Sequence, residues 1–143
     1  DELFRDALRE TLTRHGANFI ALAGYMKKVD PGIIQEFRNR IVNIHPALLP
    51  EFGGSGMYGM NDHKGVIASK AKRSGATVHI VDEEFDRGPI VLQQSVDVGA
   101  DDTPETLADK VLRIEHELYP EAIRLFSEGR VHIENNHCTI VQE

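Results

Sequence analysis

Asn43 and His45 stand two residues apart at the end of a short apolar run, Ile41-Val42-Asn43-Ile44. In a strand, alternate side chains point the same way, so the Asn amide and the His imidazole would face one point together and favour joint action on a single ligand. Pro46 biases His45 toward extended backbone, because its ring disfavours helical geometry at the preceding residue. The segment is thereby held open at a strand end, where open α/β sheets place their ligand sites. A polar strand end with no ligand would show the same spacing, and spacing alone leaves both readings standing.

Asp86 belongs to the run Asp82-Glu83-Glu84-Phe85-Asp86-Arg87-Gly88, and by residue type alone such a run is a solvated acidic turn. No histidine lies at helical i,i+4 spacing among these carboxylates, so the pattern does not favour a divalent metal. His79 precedes this turn and either faces the pocket of His45 or sits paired within a sheet. His63, His116, His132 and His137 show no metal-ligand spacing.

These side chains need a scaffold. Residues 3–15 place Phe4, Leu8 and Leu12 at four-residue intervals among charges and end at Gly16, which predicts an amphipathic helix with a glycine cap. Phe19-Ile20-Ala21-Leu22-Ala23, stopped by Gly24, reads as a strand buried on both faces. Asp30-Pro31 supplies the N-cap and first residue of a helix running to about Arg40, with Ile33, Ile34 and Phe37 on its apolar face. The run 41–44 is the next strand, and this order predicts a parallel sheet with right-handed crossovers.

Residues 46–60, with Pro46, Pro50 and four glycines, form a long irregular loop of the kind that is functional or disordered. A helix is expected over 62–73, then strands at 76–81 and 90–98 that pair as a hairpin around the acidic turn. Asp102-Thr103-Pro104-Glu105 starts a further helix whose apolar face is Leu107, Val111, Ile114 and Leu118, interrupted at Pro120 and followed by a short helix to Gly129. Residues 131–134 are expected as a last edge strand, and the tail beyond has no clear period. The pattern opens on a helix, whereas doubly wound folds begin with a strand whose following turn holds phosphate.

The 143 residues have the composition of one soluble domain, 41% apolar and 27% charged. No apolar run is long enough to cross a bilayer and the first residues lack a secretory layout, so a cytoplasmic protein without a membrane partner is expected. The single cysteine, Cys138, fits a reducing compartment. A net charge of -7 without a dense Lys/Arg block argues against nucleic acid. No G-x-G-x-x-G follows any expected strand, which disfavours a dinucleotide-binding dehydrogenase.

In their order and spacing, Leu22-Ala23-Gly24-Tyr25-Met26, Asn43-Ile44-His45-Pro46-Ala47-Leu48-Leu49-Pro50 and Asp86-Arg87-Gly88-Pro89 resemble the phosphoribosylglycinamide formyltransferases. Glu115-His116-Glu117-Leu118-Tyr119-Pro120 and Gly129-Arg130 extend the resemblance, which runs from about Phe19 to Asn135. It implies an α/β, Rossmann-like fold in a single domain over residues 1–143, with a mostly parallel sheet flanked by helices and the N-terminal strands missing. It implies transfer of a formyl group from 10-formyltetrahydrofolate to the amine of glycinamide ribonucleotide, a step of purine biosynthesis, with no metal and with homodimer formation left open.

By position, the family's catalytic trio falls on Asn43, His45 and Asp86, with His79 in support. An Asn amide and a protonated imidazole would stabilise the oxyanion that develops on the formyl oxygen. A carboxylate at Asp86 would keep His45 cationic and help remove the amine's proton. The resemblance further assigns Met26, Lys27, Val29, Val81, Asp82, Glu83, Glu84 and Phe85 to folate, and Gly24, Ile44, Pro46 and Glu115 to the ribonucleotide. Lys27 stands where Arg is common and Arg87 where glycine is frequent, and 52–59 looks like a glycine-rich variant of the family's substrate loop.

The family's opening strand and Gly/Ser-containing phosphate loop would precede residue 1, so weak folate binding, association with another chain or failure to turn over is expected of this chain alone. Formyltetrahydrofolate hydrolase and methionyl-tRNA formyltransferase share the Asn-x-His element and a later Asp. Pro46 and Glu115 lean away from the hydrolase, and the acidic balance leans away from tRNA. A third alternative is an inactive folate-binding fragment.

Overall fold

The computed structural model describes residues 2–25, 27–54, 58–84 and 86–142. In chain order the elements are α1 (Glu2–Arg14), β1 (Ile20–Ala21), α2 (Pro31–Glu36), β2 (Ile41–His45), α3 (Met60–Ser69), β3 (Arg73–Ile80), β4 (Ile90–Asp97), α4 (Pro104–Ser127), β5 (Val131–Glu134) and β6 (His137–Ile140). Two helix starts follow directly from local chemistry. The Asp30 carboxylate accepts from the Gly32 N–H at 2.8 Å with Pro31 in the first turn of α2. At α4, Thr103 and Thr106 satisfy each other's backbone N–H groups, and Pro104 opens the helix.

Among the described residues the main sheet has four strands in the order β1-β2-β3-β4, and β5 and β6 form a separate hairpin. The expected β1-α2-β2 unit is parallel, with Ile20 opposite Ile41 and Ala21 opposite Val42. β2–β3 and β3–β4 are both antiparallel, so the sheet is mixed rather than mostly parallel. The physical reason lies in the connections. β3 and β4 are joined by the acidic segment 81–89, too short for the crossover that a parallel pair needs, and β3 enters the sheet beside β2 from the opposite end.

One apolar layer lies between the sheet and α4, where Leu107, Val111, Ile114, Leu118 and Ala122 pack with Val42, Val66, Val78 and Val91. A second, smaller one joins Ile33, Ile34, Phe37 and Ile41 to the partly buried Leu8 and Leu12 of α1. Each fully buried Leu, Ile or Val contributes about 1.5–3 kcal/mol, so most of the stability sits on the α4 side.

Five boundaries differ from the sequence expectation. α2 stops at Glu36 rather than about Arg40, because Phe37 leaves helical geometry and caps it, its N–H donating to the Ile33 carbonyl. α3 ends at Ser69 because Lys70 takes a left-handed conformation and caps it, and β3 therefore begins at Arg73 rather than 76. Pro120 does not interrupt α4. It lies on the exposed side, where the carbonyl it leaves unpaired meets water, while Leu118, Ala122 and Leu125 carry the buried face past it. The tail is not aperiodic, since Asn135 and Asn136, both at positive φ, turn β5 into β6. β1 is only two residues long, the rest of the 19–23 run being irregular.

Candidate active site

β2 carries Asn43 and His45 on one face, and antiparallel pairing sets them opposite His79 and Thr77 of β3. Thr77 is fully buried. Its hydroxyl donates to the Ala47 carbonyl at 2.8 Å and accepts from the Leu49 N–H and from the Gln93 amide, which pins the chain leaving His45. The Leu49–Pro50 peptide is cis.

The 52–54 segment then folds back over the strand end. The Nε2–H of His45 donates to the Phe52 carbonyl at 2.5 Å, and the Gly54 N–H donates to Oδ2 of Asp86 at 2.9 Å. A Cβ at Gly53 would sit 2.6 Å from Leu49 Cδ2 and 3.0 Å from the Asp86 Cβ, so this close approach requires glycine. Asp86 is brought inward by the turn after β3, whose return depends on Gly88: a Cβ there would lie 1.8 Å from the Ile80 carbonyl oxygen.

Asp86 Oδ1 lies 3.6 Å from Nδ1 of His45 and 3.4 Å from Nε2 of His79. His79 donates Nδ1–H to the Ile80 carbonyl at 3.0 Å, which leaves its Nε2 facing Asp86 and, at 3.5 Å, the Asn43 amide nitrogen. The structure thus brings Asn43, His45, His79 and Asp86 into one cluster. It adds Asp62, from the first turn of α3, whose Oδ1 lies 3.1 Å from Nε2 of His45. That contact is not an aligned hydrogen bond, because the Nε2–H is directed at Phe52.

Burial drives the His45 pKa down, but Asp62, Asp86 and the Phe52 carbonyl outweigh it and hold the ring above its ordinary value. Burial pushes the Asp86 carboxyl up, and the His79 contact, the Gly54 N–H and the His45 charge more than reverse it, so the carboxyl is depressed. Glu115 of α4, half-buried, is raised by burial against the opposing charges of His116 and His45. A charged imidazole, an amide and an ionised carboxylate at one point can stabilise a developing oxyanion and accept a proton from an attacking nucleophile.

Beside this cluster a cleft is lined by Asn43, His79 and Asp86 together with Lys27, Val29, Val81, Asp82 and Glu84 of the expected folate set. Leu22, Tyr25 and Lys28 complete its wall. Glu83 is not part of it; its carboxylate pairs with Arg38 at 2.6 Å on the exposed side. Met26 and Phe85 lie outside the described residues. Of the expected ribonucleotide set, Pro46 follows His45 directly and Gly24 bends the chain after β1 at φ 68°. The Ile44 side chain turns to the other face, into the α4 layer.

Sequence reading missed Asp62 and the Phe52 carbonyl. Asp62 reads as an ordinary acidic helix start, and only the inward rotation of α3 reveals it. Among the described residues no group of three His, Cys, Asp or Glu side chains is arranged to hold a metal ion. No helix among them is long and apolar enough to cross a membrane.

Comparison with known proteins gives a consistent result. The family model described as formyl transferase matches residues 1–123. The chain is similar to the chloroplastic phosphoribosylglycinamide formyltransferase of Arabidopsis thaliana, 45% identical over 142 residues that cover 99% of this chain and 49% of the relative. It superposes with a TM-score of 0.87 and 43% identity on glycinamide ribonucleotide transformylase 1 from Symbiobacterium toebii, over 95% of this chain and 62% of the other. A formyltetrahydrofolate deformylase from Pseudomonas syringae pv. tomato str. DC3000 also gives a TM-score of 0.87, at 28% identity, over 96% of this chain and 44% of the other. The chain spans about half the length of the curated relatives it matches.

Proposed function

The chain belongs to the formyl transferase family, and from that premise we propose that it transfers a formyl group from 10-formyltetrahydrofolate to the amine of glycinamide ribonucleotide. The observation that carries this reading is the convergence of Asn43, His45 and Asp86 in one cluster, of which Asn43 and Asp86 line the adjoining cleft, with the imidazole favoured in its charged form and the carboxyl in its ionised form.

The amine nitrogen attacks the formyl carbon, and negative charge grows on the formyl oxygen. The Asn43 amide and the His45 imidazolium donate hydrogen bonds to that oxygen. The amine's proton passes to Asp86 directly or through a water, and the carbon–nitrogen bond to the folate breaks as that proton is passed on to the leaving folate nitrogen, which restores the ionised Asp86. The Nε2–H of His45 now points at the Phe52 carbonyl, so it exchanges that partner for the formyl oxygen when the donor binds. Lys27, Val29, Val81, Asp82 and Glu84 border the folate, and Gly24, Pro46 and Glu115 the ribonucleotide. His79 steadies Asp86.

The proposed compartment is the cytoplasm, which the single cysteine supports. A second reading, release of formate to water, draws on the similarity to the Pseudomonas deformylase. Incubation with 10-formyltetrahydrofolate, with and without glycinamide ribonucleotide, separates the two. The proposal expects formylated ribonucleotide and little free formate. Formate release at the same rate without the ribonucleotide would favour the deformylase reading, and no product in either arm would favour an inactive fragment.

A further inference from the structure

We propose that Asp62 is a positioning residue for this reaction: its buried carboxylate, 3.1 Å from Nε2 of His45, keeps that ring charged and fixes its orientation between two carboxylates. The inference rests on the formyl-transfer reading for its function, though not for its geometry.

Asp62 lies on the first turn of α3, where helix amides favour a negative charge, and an acidic residue there ordinarily faces water. Here it is fully buried, and neither oxygen has a hydrogen-bond partner among the described residues. A carboxylate removed from water in this way is costly unless an opposite charge sits beside it. Two imidazoles are near enough to supply that charge. His63 is the next residue and is buried with Nδ1 unpartnered, but burial dominates its titration and lowers it, with Asp62 pulling up and the charge on His45 pushing down. Burial therefore favours the neutral form of His63, and His45, at 3.1 Å, is the better placed cation to balance Asp62.

The groups that face His45 come from four elements. Asp62 and His63 come from α3, Asp86 from the turn after β3, His79 from β3 itself, and Glu115 from α4. Burial raises Glu115, which weakens its share of the negative field. The two carboxylates within 4 Å of the ring, at 3.1 and 3.6 Å, are thus the ones that hold its proton. Without Asp62, only Asp86 and the Phe52 carbonyl would be left to offset the burial that favours neutral imidazole. The donor to the formyl oxygen would then be lost at a lower pH.

The test is a pH titration of 15N-histidine-labelled chain, followed at the His45 ring by NMR. The parent is expected to keep His45 protonated above the ordinary value of about 6.5. Asp62→Asn is expected to lower its midpoint by about one unit or more, and Asp62→Glu to restore part of the difference. An unchanged midpoint in Asp62→Asn overturns the proposal. Should that variant not fold, the parent supplies a second reading. The carboxyl carbon of Asp62 should respond with the same midpoint as the His45 ring, and a carboxyl blind to that midpoint overturns the proposal.

In the transfer assay, Asp62→Asn should shift the alkaline limb of kcat to lower pH while KM for 10-formyltetrahydrofolate stays within about twofold, a signature that a packing role would not produce. A lowered His45 midpoint with no product from either chain would leave the positioning intact and sink the formyl-transfer reading instead.

Discussion

The two sides of the sheet are packed to different depths. On the α4 side, Leu107, Val111 and Ala122 are completely buried, and the layer runs unbroken past Pro120. On the other side, α1 buries no residue fully, Phe4 remains 55% exposed, and β1 is two residues long. The site spans both. Asn43, His45 and His79 hang from strands fixed by the α4 layer, whereas Lys27 and Val29 of the cleft wall stand on the thinner side. The proposed catalytic cluster therefore inherits the rigidity of the deep layer, and opening of the cleft is expected to begin at the shallow one.

Mutations that strike the two layers unequally should break the comparison or sharpen it. Leu107→Ala should destabilise by about 2–5 kcal/mol in urea unfolding, because a fully buried side chain leaves a cavity. A loss below 1 kcal/mol would mean that the deep layer is not what holds the sheet.

Tyr119 joins the two regions. Its hydroxyl donates to the Leu22 carbonyl at 2.6 Å and sits 3.3 Å from that of Val42, and burial raises its pKa far above the ordinary phenol. Tyr119→Phe should cost about 1–3 kcal/mol, since it leaves a half-buried carbonyl unpaired. Amide exchange should quicken at β1 before it does in β3. Uniform quickening would show that the edge strand is not separately held.

Arg9→Ala should be nearly silent, within about 1 kcal/mol. It removes only the exposed 2.9 Å pair with Glu36 that links α1 to α2.

The charge cluster predicts a pH window with two limbs of opposite sign. The folded pKa of His45 lies above its unfolded value, so its contribution to stability is complete below about pH 6.5 and fades as pH rises through the folded value. Asp86 is depressed, so its contribution is complete above about pH 3.9 and fades as pH falls through the folded value. The stability difference between the parent and His45→Gln should be widest between about pH 4 and 6.5. It should narrow on the alkaline side, as thermal melts across that range would show.

Much of this was legible in the sequence where a local rule decides the structure. The period-two spacing of Asn43 and His45 and the cap at Asp30 needed no tertiary information. The Thr103 helix start was equally local. What could not be read depended on contacts between distant segments. Asp62 looks like a helix-opening acid until α3 is turned against His45, 17 positions away in the chain. Pro120 looks like a break until its exposure is known, and Asn135-Asn136 was overlooked as turn chemistry although both residues favour positive φ. The antiparallel pairing of β2 with β3 could not be read either, because the connection between them, which includes α3, is long enough to permit either strand direction.

The central claim is that the charged His45, between Asp62 and Asp86, donates to the formyl oxygen. Its most direct test is the transfer rate of His45→Ala against the parent, with 10-formyltetrahydrofolate and glycinamide ribonucleotide both saturating. Loss of one oxyanion donor predicts a fall in kcat on the order of 10²–10³-fold with the fold intact by circular dichroism. A folded His45→Ala chain that transfers formyl as fast as the parent would contradict the account.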